Sequence, residues 1–218
     1  MRRSAAVALA LALLPMTASA KPPLRYLVLG DSTAAGVGGD YEAGIAKSTA
    51  RELERRFDVT MTNLGRSGAQ MQDVRELQLP AGETLRPDLV LLSAGANDVT
   101  HLSGIRSMRD DLREIVTRLR AANPNVKIVI TGSPDIGSPP RVPRLLRGIA
   151  SRRTQAVNRM FEAEAARLGL VFAPIAKRTG PLFRKDRTLF AEDRFHPNER
   201  GYGTWVVVLN EALAAAVR

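Results

Sequence analysis

Five short apolar runs punctuate the chain: residues 24–29 (LRYLVL), 57–62 (FDVTMT), 88–92 (DLVLL), 126–130 (VKIVI) and 170–173 (LVFA). Most are rich in leucine or β-branched residues and end in turn formers, as strands buried on both faces do. Between them the apolar spacing changes to that of helices. Ile45, Thr49, Leu53 and Phe57 recur every fourth residue. Ile105, Met108, Leu112, Ile115, Val116 and Leu119 form a second stripe that Asn123-Pro124 stops. A longer helix is predicted from about Arg147 to Leu168, ended by Gly169, and a last one from Pro197 or Asn198 to Val217. Trp205, in that last helix, reads as a packing residue.

Strands alternating with helices imply a parallel sheet covered on both faces. In such sheets ligands sit beyond the carboxyl ends of the strands. No internal repeat, low-complexity segment or second domain is evident.

The first twenty residues stand apart from this pattern. Arg2 and Arg3 precede an apolar run from Ala5 to Leu14, and Ala18-Ser19-Ala20 offers a small-residue cleavage site. This is the layout of a secretory signal peptide. The run of about ten residues before Pro15 is too short to span a bilayer, which takes roughly 20. Cleavage after Ala20 would leave residues 21–218 as one domain of about 200 residues, in the periplasm or outside the cell. With no cysteine, such an exported chain depends on its core for stability. It also has no cysteine to carry a lipid anchor.

The formal net charge is +10, about +8 without the leader. Export and the lack of aromatic residues among the basic ones argue against nucleic acid. An anionic envelope surface or an acidic substrate is the better partner class, and a plain solvated basic surface is the simpler reading.

Four stretches carry chemistry: Gly30-Asp31-Ser32-Thr33, Asn63 to Gly68 (NLGRSG), Gly95-Ala96-Asn97-Asp98, and Asp193-Arg194-Phe195-His196. Ser32 directly follows the first strand. It is expected near the start of the next helix, where helix amides would face a developing oxyanion. Asp193 and His196, three residues apart on a turn, let a carboxylate reach Nδ1 and leave Nε2 free to take a serine proton. Asn97 offers an uncharged NH₂ donor after the third strand, and Gly68 a backbone N–H after the second. Taken singly, each is ordinary cap or turn chemistry. Their convergence on one sheet edge is what points to catalysis.

Rival readings fail on spacing. Gly36-Val37-Gly38 lacks the third glycine of a dinucleotide fingerprint, and no Gly-Lys-Ser/Thr follows for a phosphate loop. Two histidines, His101 and His196, without cysteine are too few for zinc. His101 reads as a loop residue without a catalytic part.

In order and spacing these stretches resemble the blocks of the SGNH hydrolases, also called the GDSL lipase/esterase family, across essentially the whole exported chain. The resemblance implies a flavodoxin-like α/β/α sandwich with a five-stranded parallel sheet. It implies Ser32 as nucleophile, His196 as base and Asp193 as its orienter. It also implies an oxyanion hole made by the Ser32 amide, the Gly68 amide and the Asn97 side chain. Two departures stand out. Thr33 replaces the leucine of the family's name, and Ala69-Gln70 replaces the usual acid after the second block. In that block Gly65 competes with Gly68, and the family's Asn-x₃-Ser-Gly pattern selects Gly68. The G-x-S-x-G elbow of α/β-hydrolases is absent.

The expected reaction is hydrolysis of a small-molecule, lipid or glycan ester through an acyl-enzyme on Ser32, with no metal or organic cofactor. Alternatives within the class are an O-acetyl polysaccharide or peptidoglycan deacetylase, a thioesterase and a lysophospholipase. Outside it stands a non-catalytic glycan-binding domain, disfavoured by the intact Ser–Asp–His set. The loop over residues 133–148, rich in proline, should border the site. Its Arg141, Arg144 and Arg147 are candidates for attracting anionic substrates, or for pairing with nearby acids on a rigid solvated loop. The motifs leave the acyl and alcohol groups, and the oligomeric state, open.

Overall fold

All five apolar runs are strands in the computed structural model, which describes residues 20–218. They are β1 (Pro23–Gly30), β2 (Asp58–Asn63), β3 (Leu89–Ser93), β4 (Lys127–Ile130) and β5 (Val171–Phe172). The leader predicted over residues 1–20 lies outside the described residues apart from Ala20. Every pairing is parallel, and the order is β2-β1-β3-β4-β5. That is the flavodoxin-like order, with its switch point between β1 and β3.

Alternate residues of the central strands feed two cores. Leu27, Leu29, Val90, Leu92, Ile128 and Ile130 face one, while Tyr26, Val28, Leu89, Leu91 and Val129 face the other. Two-sided burial is why these runs lack polar alternation, each such side chain contributing about 1.5–3 kcal/mol.

The first core is closed by residues 71–84, by α5 (Ile105–Ala122) and by α6 (Arg144–Leu168). The 71–84 stretch comprises α2 (Met71–Asp73), a π-helical turn (Val74–Gln78) and α3 (Leu79–Thr84). The second core is closed by α1 (Ile45–Leu53), α7 (Ile175–Lys185) and α8 (Glu199–Ala216). A short α4 (Ala96–Thr100) follows β3. Among the described residues no helix is long and apolar enough to cross a membrane.

Three helical segments were not expected from the spacing. Residues 71–84 carry Pro80 and Gly82 and change helical pitch midway, so no single period fits them. Gly180-Pro181 lies inside α7 and reads locally as a turn. With five residues, α4 has too few positions to show a stripe. Phe57 belongs to neither predicted element: α1 stops at Leu53, and Phe57 sits in the bend before β2, packed on the second core. The long helix begins at Arg144 after Pro143, not at Arg147. Proline, with its fixed φ and no N–H, suits the entry to a helix. Arg144 and Arg147 therefore belong to the first turns of α6, and only the preceding part of the 133–148 segment is loop.

Candidate active site

Gly30 and Ser93 pair where β1 meets β3. A side chain at Gly30 would strike the Ser93 carbonyl at 1.9 Å, and its φ of +141° also demands glycine. The Asp31 amide then donates to the Ser93 carbonyl (2.9 Å), and the chain turns off the sheet. Ser32 therefore sits in a turn and not at the start of a helix. The Ala35 amide donates to Asp31 O and the Val37 amide to Ser32 O, and α1 begins only at Ile45. Gly36 and Gly38, both with positive φ, keep the segment from continuing as a helix. The expected helix amides are replaced by the turn's own: among the described residues the Ser32 N–H has no protein acceptor.

Thr33 is buried and useful where the family's name has leucine. Its amide and hydroxyl both donate to Asp31 Oδ1 (2.9 and 2.8 Å), and its Oγ1 lies 2.9 Å from Ser93 Oγ. Burial pushes the Asp31 carboxyl up, against the Thr33 donors and the Ala96 amide, which favour its charged form. Gln78, from the π-helical turn, grips the strand end from the other side. Its Oε1 accepts from the Gly30 amide and its Nε2 donates to the Gly30 carbonyl, both at 2.8 Å.

The second block divides its glycines by environment. The Gly65 amide donates to Asn63 Oδ1 (3.0 Å). A Cβ there would meet Ala34 Cβ at 2.7 Å and the Ala35 nitrogen at 2.9 Å. Gly65 is thus packed under the Ser32 loop with its donor occupied. Asn63 Nδ2 donates to the Ala34 carbonyl (2.8 Å) and fastens the same loop. Gly68 lies in the turn closed by the Ala69 amide on the Arg66 carbonyl (3.1 Å), with φ +85° and open space around it. Among the described residues its N–H meets no acceptor. The Asn97 carboxamide, on the first turn of α4, donates to the Ala69 carbonyl (3.0 Å), leaving its second N–H free. Asn97 and the Gly68 turn are therefore one unit.

Asp98 is the neighbour that sequence reasoning passed over. It is 2% exposed and takes the Met71 amide at 3.1 Å. Burial raises its carboxyl to about 6, against the Met71 and Ser103 donors and with the Asp31 charge adding to the rise. His101 closes α4: its Nδ1 lies 2.8 Å from the Asn97 carbonyl. It is exposed and caps the C-terminus of that helix.

The acid–histidine turn meets Ser32 across the switch point. A Phe190–Pro197 bridge and the Ala191 amide on the His196 carbonyl (2.9 Å) hold it. Asp193 Oδ1 accepts from the Phe195 and His196 amides (2.9 and 3.0 Å), and Oδ2 lies 2.5 Å from His196 Nδ1. His196 Nε2 is 2.8 Å from Ser32 Oγ. Burial pushes the Asp193 carboxyl up, but the His196 ring and the two amides outweigh it and hold it below the usual carboxylate range. Gly38 lets the two loops touch, since a Cβ there would lie 2.4 Å from the Pro197 carbonyl. The Tyr202 hydroxyl, on α8, donates to the Val37 carbonyl (2.6 Å).

This constellation spans the chain, and so does the likeness to known proteins. Residues 28–203 match the GDSL-like Lipase/Acylhydrolase family. The chain belongs to that family. The GDSL-like esterase Rv1075c of Mycobacterium tuberculosis is 29% identical over 202 residues, 89% of this chain and 63% of that protein. The chain thus spans less than two thirds of the length of that curated relative. Among solved structures, TesA superposes with a TM-score of 0.73 at 21% identity, over 88% of this chain and 99% of TesA. The psychrotrophic esterase EstA of Pseudoalteromonas sp., inhibited by monoethylphosphonate, gives 0.65 at 21% identity, over 88% and 98%. A catalytic mutant of the acetylxylan esterase Axe2 of Geobacillus stearothermophilus gives 0.63 at 18%, over 88% and 95%. At such identities the likeness is one of fold.

In this GDSL-family chain an apolar pocket opens beside Ser32 and His196. Pro134, Ile136, Pro139, Phe183, Phe190 and Phe195 supply much of its wall. The segment after β4 borders the site as expected. Trp205 packs on Tyr202 and Phe183 and also lines this pocket, so its packing role includes shaping the site.

Proposed function

We propose that the chain hydrolyses carboxylic esters through an acyl-enzyme on Ser32, outside the cytoplasm, as the leader pattern of residues 1–20 suggests. The observation that carries the reading is the unbroken relay from Asp193 through His196 to Ser32, at 2.5 and 2.8 Å. Ser32 Oγ attacks the ester carbonyl carbon while His196 Nε2 takes its proton. The Ser32 and Gly68 amides and the Asn97 side chain, all with unspent donors, receive the oxyanion. The carbon–oxygen bond to the alcohol then breaks as His196 returns the proton to the leaving oxygen. Water, deprotonated by the same imidazole, releases the acid from Ser32. Asp193, held ionised by its partners, keeps the imidazole in the required tautomer and stabilises the imidazolium. The esterase relative in Mycobacterium tuberculosis supports the same bond class.

The pocket beside Ser32 offers a cavity of about 30 Å³, room for roughly two waters and so for a short acyl group. Assays on acetate-to-palmitate esters test the reading. Turnover should fall as the acyl chain lengthens. Ser32→Ala should lower kcat by at least about 10³-fold, with loss of labelling by a fluorophosphonate, and Asn97→Ala by about 10²–10³. Wild-type turnover in Ser32→Ala would end this proposal.

A further inference from the structure

A second cleft, of about 380 Å³, adjoins the pocket beside Ser32, and Phe190 lines both. Its lining is Pro140, Arg144, Arg147, Arg187, Phe190, Ala191 and Arg194, so four guanidiniums and no carboxylate face it. Among the described residues none of the four makes an ion pair, unlike Arg113 with Glu164 or Arg118 with Glu83. Arg147 and Arg187 spend donors on backbone carbonyls, Arg147 on Val142 and Pro140 and Arg187 on Ser138. This fixes two guanidiniums at the wall. The side chains of Arg144 and Arg194 have no protein acceptor among the described residues.

Two further features accompany the arginine cluster. Arg194 holds a left-handed backbone at φ +59°, a conformation that costs a non-glycine residue about 1–3 kcal/mol. Its carbonyl accepts from the Arg141 amide (3.0 Å), which ties the histidine turn to the segment before α6. In addition, Arg144 and Arg147 stand at the N-terminal end of α6 without an acidic residue in its first turn. The helix dipole disfavours cations there and favours an anion. Positive side chains and the positive helix end therefore add their potentials in one concave place.

We propose that this cleft is a subsite for a phosphate-class oxyanion carried by the ester substrate. Arg144 and Arg194 would donate to it, and Arg147 and Arg187 would set the surrounding field. Guanidinium forks match a tetrahedral oxyanion geometrically. Because Phe190 lines both, the cleft neighbours the pocket beside Ser32. This inference rests on the ester-hydrolase reading for its substrate, but the cleft can be tested without turnover.

The test uses the full chain, a short acyl ester of a neutral alcohol, and the same ester with a phosphate on the alcohol. In wild type the phosphate-bearing ester should have the lower KM, and inorganic phosphate should compete with it. In Arg144→Gln/Arg194→Gln the ratio of kcat/KM on the charged ester to that on the neutral one should fall about tenfold to a hundredfold. Arg144→Gln alone, at an exposed helix position whose side chain has no protein partner among the described residues, should show part of the effect. A ratio unchanged in both variants overturns the subsite. So does a variant that loses only its adhesion to anionic phosphatidylglycerol vesicles, which would assign the arginines to surface attachment. If no ester is turned over, calorimetry with inorganic phosphate still decides: binding by wild type and Ser32→Ala, lost in the double variant, upholds the cleft while the hydrolase reading falls.

Discussion

Gly65 and Gly68 are three residues apart, and their surroundings give them different parts. Gly65 is a packing glycine, pressed on Ala34 and Ala35 with its amide spent on Asn63. Gly68 is a conformational glycine, needed for φ +85° in a turn with open space where a Cβ would lie. Alanine at the two positions should therefore fail differently. Gly65→Ala must displace the Ser32 loop and should lower kcat at least about tenfold, because misplacing reacting groups by an ångström costs about that much or more. Gly68→Ala keeps its amide and meets no clash, so its main cost should be backbone strain of about 1–3 kcal/mol. Thermal melts and kcat on one short ester check this. Undiminished kcat in Gly65→Ala would show that the Ser32 loop does not depend on this close contact.

At the scale of elements, the end of β1 is gripped from two sides. The Gly30 carbonyl accepts from both the Arg66 amide (3.0 Å) and Gln78 Nε2, and the Gly30 amide is held by Gln78 Oε1. The carboxamide thus acts as a surrogate strand at the last residue before Asp31-Ser32. The π-helical turn Val74–Gln78 contributes this side chain, consistent with the frequent placement of such turns at functional sites. Gln78→Leu leaves a buried N–H unpaired, a loss of about 1–3 kcal/mol. It should lower Tm by roughly 3–10 °C in a chain of this size. It should also lower kcat on a neutral ester more than it changes KM, since the residue positions Ser32 and touches no substrate. An unaltered kcat beside a lowered Tm would make Gln78 purely structural.

For the whole molecule, perturbed carboxyls set opposing pH dependences. Asp98, raised from 3.8 to about 6 by burial, binds its proton more tightly when folded. Its favourable contribution is complete below about pH 4 and is lost as the pH rises to 6, by about 3 kcal/mol. Asp31, also raised by burial, acts in the same direction. Asp193, Asp88 and Glu164 are held low by their partners, so their stabilisation is present above pH 4 and fades on acidification. Asp98→Asn keeps an acceptor for the Met71 amide and removes the ionisation. Between pH 4 and 7 it should gain stability relative to wild type as the pH rises, read as diverging urea midpoints. Parallel midpoints across that range would show that folding leaves the Asp98 carboxyl unshifted.

The residues of the candidate site were legible from order, local spacing and the family resemblance. A serine after a strand, an asparagine after another, and an acid three residues before a histidine are each properties of a few neighbouring positions. The parallel sheet was equally legible, because strands buried on both faces must be apolar throughout. What lay beyond the sequence was every contact between distant segments. Periodicity carries no trace of Gln78 reaching Gly30, of Asn63 holding Ala34, or of Thr33 finding Ser93. It missed α7 and residues 71–84 because Gly180-Pro181, Pro80 and Gly82 read locally as breaks, while burial in the tertiary fold overrides that preference. It put Ser32 at a helix start, where the folded chain has a turn supported by Gly38 against Pro197. The unpaired arginines could be counted in the sequence, but only the packing of the Arg194 turn beside the first turns of α6 made a cleft of them.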